Sequence, residues 1–137
     1  MKTTILFQLA GLAQLGMVGA GALAPLFLRW KPALQTLPTI LRQLFWTYGA
    51  YILSTNLFFA VLCLLFPAEF VNRSPLAAAL CLYLFLFWLG RLGVQFFYFD
   101  RAALGHGIPM RIAEFFLVLL ILTLVLIYGW GLWLNLG

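Results

Sequence analysis

Arg91 is the residue in this chain whose type and position most demand an explanation. It falls inside an otherwise apolar run, about nine residues from the nearer end, hence about 13 Å deep at the rise of an α-helix. Placing an arginine near the centre of a membrane helix costs on the order of 2.5–3.5 kcal/mol, so the side chain needs a partner or a wet cavity. On a helix its own face would carry Trp88 at i−3, Gln95 at i+4 and Tyr98 at i+7. Asn56 of the preceding apolar run has a similar depth, and Glu114 near the start of the last run is the one acid within reach. Asn56, Arg91, Gln95, Tyr98 and Glu114 therefore form a candidate intramembrane polar site. A fixed cation among amide and phenol donors suits an anion such as a lipid phosphate, a carboxylate or an isoprenoid pyrophosphate.

Two other readings use the same residues. Arg91 can snorkel to the nearer surface, although helical side chains tilt toward the helix N-terminus, which here points the other way. Alternatively, Arg91, Glu114 and Asn56 form an internal network that holds helices in register.

Other chemistry is not written in the chain. His106, between Gly105 and Gly107, is the single histidine. One chain thus cannot supply bis-histidine haem ligation or an H-E-x-x-H zinc site. There is no G-x-S-x-G nucleophile elbow and no phosphate-cradling glycine loop. Asp100 is the single aspartate, so paired aspartates for Mg²⁺ on a pyrophosphate are missing. No cofactor, metal site or catalytic residue is expected. Cys63 and Cys81 both lie in apolar runs, where a cysteine is usually a small buried hydrophobe. Their similar depth leaves a disulfide open.

The elements that must position these residues follow from composition. Two thirds of the 137 residues are apolar and 8% are charged, against about 25% charged in a soluble domain. A fold of this size in water could not hide that much apolar surface. The apolar runs cover 5–28, 46–66, 76–99 and 112–134, each long enough to cross about 30 Å of hydrocarbon as a helix. None alternates as a barrel strand would. The expected fold is all-α, with four transmembrane helices in an antiparallel bundle forming a single domain, 1–137. An interfacial amphipathic helix is expected at about 32–45, where Leu34, Leu37, Leu41 and Leu44 repeat at helical spacing. Pro38 would kink that helix or start a new one. The first run also resembles a secretory signal, with Lys2 at its start and Ala22-Leu23-Ala24 as a cleavage pattern. Pro25 directly after that pattern, and the length of the run, favour a retained helix.

Small residues predict close approaches, because lipid supplies no hydrophobic drive between helices. Gly16, Ala20 and Ala24 form one such row in the first span, and Ala13, Met17 and Gly21 a second. Gly49, Asn56, Ala60 and Cys63 form another in the second span. The uniform stretch 115–127 is expected to face lipid over much of its surface. Tyr128, Trp130 and Trp133 are expected at the outer membrane boundary, and Trp30, Trp46 and Tyr48 at the inner one.

Eight Lys/Arg against three acids give a net charge of +5. These cations flank apolar runs singly or in pairs, with no basic face, so no nucleic-acid partner is expected. Their distribution reads as topology. Arg29, Lys31, Arg42, Arg101 and Arg111 share one side, and Lys2 and Arg73 the other, which places both termini on the non-cytoplasmic side of an inner membrane. The chain thus reads as a non-catalytic accessory or structural subunit, or an assembly factor, of a membrane system. Its expected partners are the bilayer and a membrane protein or further copies of itself. The alternative is a small transporter or anionic-lipid-binding protein using Arg91.

Overall fold

The computed structural model describes residues 2–27, 29–98 and 108–137. Five α-helices carry them: α1 (Lys2–Phe27), α2 (Trp30–Leu34), α3 (Thr39–Leu65), α4 (Pro75–Gly93) and α5 (Ile108–Leu136). A 3₁₀ turn (Pro67–Phe70) precedes α4, and a π-helical turn (Val94–Tyr98) extends it. No strand occurs among the described residues. Four segments are long and apolar enough to cross a membrane: Lys2–Leu26, Thr39–Leu65, Pro75–Phe97 and Arg111–Leu136. All four expose large apolar side chains, among them Leu12, Phe58, Leu86 and Leu126. A surface this apolar suits lipid rather than water.

Local signals explain where these helices start. Ser74 takes extended backbone, and its Oγ accepts from the Ala77 amide at 3.0 Å, with Pro75 in the first turn of α4. Pro38 stands directly before α3 with φ −53° and ψ 148°. It therefore starts a new helix rather than kinking an existing one, and this corrects the amphipathic helix expected at 32–45. That segment divides into the five-residue α2, an interruption, and a first stretch of α3 that continues unbroken into the second span. The physical reason is the proline ring, which disfavours helical backbone at Leu37 and lacks the N–H to continue an earlier helix.

The packing departs from the uniform appearance of the last span. α1 packs against α3 and α5, and α4 packs against α5. α5 thus has two large helix neighbours. It buries Ile121, Leu124, Val125 and Tyr128 as one stripe, while Phe115, Phe116, Leu119, Leu122 and Leu126 stay exposed. Leu, Ile, Val and Phe all round the helix gave no clue to this division. Tyr128 is fully buried among the helices rather than turned outward. α3 and α4 meet through rings, with Phe59 and Tyr83 6.0 Å apart. Phe7 stacks on Phe70 at 5.3 Å and meets Tyr128 edge-on at 6.0 Å, joining α1, the 3₁₀ turn and α5.

Close approaches occur at some glycines and not at others. A Cβ on Gly11 would lie 2.8 Å from Leu64 Cγ and 3.0 Å from the Ala60 carbonyl oxygen, and one on Gly21 2.8 Å from Leu53. Gly16, by contrast, has only an ordinary contact at 3.5 Å with Leu120, and Ala20 is exposed. The contact of α1 with α3 thus runs through Gly11 and Gly21, with Ala13 and Met17 packed on the core, rather than through Gly16, Ala20 and Ala24. In α3, Asn56, Ala60 and Cys63 are buried as the spacing predicts.

These distances separate two superficially similar substitutions. Gly11→Ala should lower stability by about 1–3 kcal/mol, since the Ala60 backbone cannot step aside. Gly19→Ala meets nothing within 4 Å and should be neutral or stabilising by up to about 1 kcal/mol through helix propensity. Unfolding of both variants in detergent, followed by circular dichroism, measures the difference.

Candidate functional site: polar groups inside the helices

The guanidinium of Arg91 leaves the last turn of α4, and its Nη1 donates to Gln95 Oε1 at 3.1 Å. Four residues along a helix bring such side chains together. Gln95 sits in the π-helical turn, 2% exposed. Its Nε2 donates in turn to Glu114 Oε1 of α5 at 3.5 Å. The carboxamide thus presents its acceptor to the cation and its donor to the carboxylate. A neutral amide relays between opposite charges whose depths differ.

The structure therefore joins Arg91, Gln95 and Glu114. Asn56 is buried on the stripe it shares with Ala60 and Cys63, which meet Gly11 of α1, and it makes no side-chain hydrogen bond to those three residues. α3 packs on α1 whereas α4 packs on α5, so equal depth does not bring Asn56 onto the Arg91 chain. The side chain of Tyr98 lies outside the described residues, as do Asp100, Arg101 and His106. Trp88, one turn before Arg91, is buried with no hydrogen-bond partner for its Nε1 among the described residues.

A second polar chain escaped the sequence reasoning. Gln14 of α1 is fully buried, and its Oε1 accepts from the Tyr128 hydroxyl of α5. Cys63 Sγ of α3 lies 3.2 Å from the same hydroxyl oxygen. Since the phenol has one hydrogen and gives it to Gln14, the thiol is the donor toward Oη. Three helices are tied at one oxygen. Gln14 Nε2 is buried without a hydrogen-bond partner among the described residues. The available signal was Gln14 itself, an amide in the middle of the first run and on the face of Ala10 and Met17.

The third polar contact lies at the end of α5. Asn135 Nδ2 donates to the Phe70 carbonyl at 2.7 Å and to the Gly131 carbonyl at 2.8 Å, while its Oδ1 accepts from the Arg73 amide at 2.9 Å. One side chain thus fastens the connection between α3 and α4 onto α5. Arg73 holds a left-handed backbone there, φ 59°. Cys63 and Cys81 are free thiols; Cys81 Sγ lies 3.6 Å from the Phe70 carbonyl.

Chemically, this set binds helices to one another. No group of three His, Cys, Asp or Glu that could hold a metal ion occurs among the described residues. The bonding partners of the Cys63 thiol include no general base. The chain matches no protein-family model, curated protein or solved structure.

The Tyr128 node makes a quantitative prediction. Tyr128→Phe strands the Gln14 carbonyl and the Cys63 thiol, and should cost about 0.6–1.7 kcal/mol, the range of interhelical hydrogen bonds in membrane proteins. Adding Gln14→Leu removes the stranded amide and should recover most of that loss. A double-mutant cycle on thermal unfolding in detergent reads the coupling.

Proposed function

We propose that the protein is a non-catalytic integral membrane protein, an accessory or structural subunit or an assembly factor, built as four transmembrane helices in an antiparallel bundle. The observation that carries this reading is the Arg91–Gln95–Glu114 chain. The cation that a transport or ligand site would present to its cargo is engaged with the protein's own Gln95 amide, which in turn reaches the Glu114 carboxylate. An Arg91 spent in this way fits a register device that specifies how α4 and α5 meet.

The antiparallel arrangement is supported by the order of paired residues. Phe7 approaches Gly131 and Gly16 approaches Leu120 between α1 and α5; Gly11 approaches Leu64 and Gly21 approaches Leu53 between α1 and α3. In each pair of helices one number rises as the other falls. The distribution of basic residues supports a cell inner membrane with both termini on the non-cytoplasmic side.

α3 supplies the face for a membrane partner. It packs chiefly on one long helix, α1, touches α4 through Phe59 and Tyr83, and turns Tyr51, Ile52, Phe58 and Val61 outward. Ser54 and Thr55 on this side give their hydroxyls to the helix's own carbonyls, at 2.8 and 2.9 Å, so that neither hydroxyl needs an outside partner. Rings of this kind are the usual anchors of protein interfaces.

A photo-crosslinking residue in place of Phe58, at native expression in native membranes, tests this role. The expected product is one discrete adduct heavier than the 15.4 kDa chain, while the same residue in place of exposed Leu122 on α5 yields none. If Phe58 gives only lipid adducts, the subunit reading fails. The alternative, an anion site at Arg91, would then be tested by anion flux in vesicles with Arg91→Gln.

A further inference from the structure

Beyond the polar groups inside the helices, one cleft combines a cavity with unneutralised charge. It has a volume of about 500 Å³ and is lined by Ala22, Pro25 and Leu26 of α1, by Arg29, Lys31 and Pro32 of the α2 segment, and by Trp46 of α3. That volume falls within the roughly 300–1,000 Å³ of small-molecule sites, which are mostly apolar with a few placed polar groups. Arg29 and Lys31 are both exposed, and neither has an acidic partner among the described residues. Of the described acids, Glu69 and Glu114 do not line the cleft. Two neighbouring cations without a counter-charge among the described residues call for an anion.

Backbone and aromatic geometry support a built site. Arg29 adopts left-handed backbone, φ 53° and ψ 54°. A glycine would take that conformation freely, yet the chain carries an arginine, and strain of this kind gathers at ligand clamps. Trp46 is braced by Trp30 at 6.1 Å and by Phe45 at 6.1 Å, and Trp30 meets Phe45 edge-on at 5.0 Å. This ring cluster stands where α1 ends and α3 begins, the level at which amphipathic rings meet lipid headgroups.

We infer that this cleft binds one acidic phospholipid, with its phosphate between Arg29 and Lys31 and an acyl chain along Ala22, Pro25 and Leu26. Charge complementarity selects an acidic lipid over a zwitterionic one. The apolar wall selects a lipid over a small free anion. Trp46 flanks the glycerol region. Basic side chains at the cytoplasmic boundary are attracted by acidic headgroups in general; here the apolar cavity turns that attraction into a site of defined occupancy. The inference rests on the membrane reading given above.

Native mass spectrometry of the full chain, after incorporation into vesicles of equal phosphatidylglycerol and phosphatidylcholine, tests it. The wild-type chain should retain one phosphatidylglycerol in preference to phosphatidylcholine. Arg29→Gln with Lys31→Gln should reduce that preference on the order of tenfold. Arg111→Gln, exposed and outside the cleft, should leave it unchanged. Ala22→Trp, which fills the wall with both cations in place, should also abolish retention. Millimolar inorganic phosphate should not displace the lipid. Equal loss in Arg111→Gln, full retention in the double variant or in Ala22→Trp, or displacement by phosphate would overturn the site. A chain that fails to enter vesicles at all would instead defeat the membrane reading.

Discussion

In the membrane setting proposed above, a polar group has no water to fall back on, so donors, acceptors and charges within these helices gain from partners in the protein, although Gln14 Nε2 and Trp88 Nε1 have none among the described residues. This constraint shapes the chain more than any preference of individual residues. It makes the backbones helical. It also explains why Arg91 engages Gln95, why Gln95 reaches Glu114, and why Tyr128 stands between Gln14 and Cys63. Apolar surface, by contrast, discriminates little, because lipid tails solvate leucine as well as another helix does. The specific order of the helices therefore falls to a few amides, one phenol, one thiol, one ion-bearing chain and the glycines that allow close approach.

The three polar contacts divide the work by position. Gln14, Tyr128 and Cys63 bind α1, α5 and α3 together. Arg91, Gln95 and Glu114 bind α4 to the beginning of α5. Asn135 fastens the connection between α3 and α4 to the end of α5. Each includes α5, the helix that touches both α1 and α4. A uniform Leu, Ile and Val helix is well suited to this place, since it offers apolar contact on several sides and polar contact only where Glu114, Tyr128 and Asn135 put it. The cleft beside Arg29 is different in kind. Its cations lie where α1 gives way to α2, and no acid among the described residues lines the cleft beside them.

Much of this was legible in the residues and some of it could not be. The four long helices follow from run length and hydropathy, which depend on solvent and not on neighbours. Asn56, Ala60 and Cys63 share a buried stripe because helical spacing is local information. Arg91, Gln95 and Glu114 come together because one step is an i,i+4 contact and the other joins helices linked in sequence. Equal depth does not bring Asn56 to them, because depth does not say which helix lies beside which. Aromatic rings gather at membrane boundaries, but the turning of the Tyr128 ring into the contact between helices depends on neighbours that its position along the chain does not reveal. The interfacial helix at 32–45 was drawn through Pro38 because leucine spacing persists across it, and the proline ring prevailed. Which glycine row in α1 meets α3 depends on rotation about the helix axis, to which a row of small residues is silent.

The account stands most directly on the carboxamide of Gln95, whose two ends are held by opposite charges at 2% exposure. Nuclear magnetic resonance of that group in lipid nanodiscs reads both its exchange with water and its proximity to Glu114. The account predicts carboxamide protons that exchange far more slowly than those of a free side chain, with a nuclear Overhauser contact to the Glu114 methylenes. Rapid exchange with water and no contact to Glu114 would contradict it.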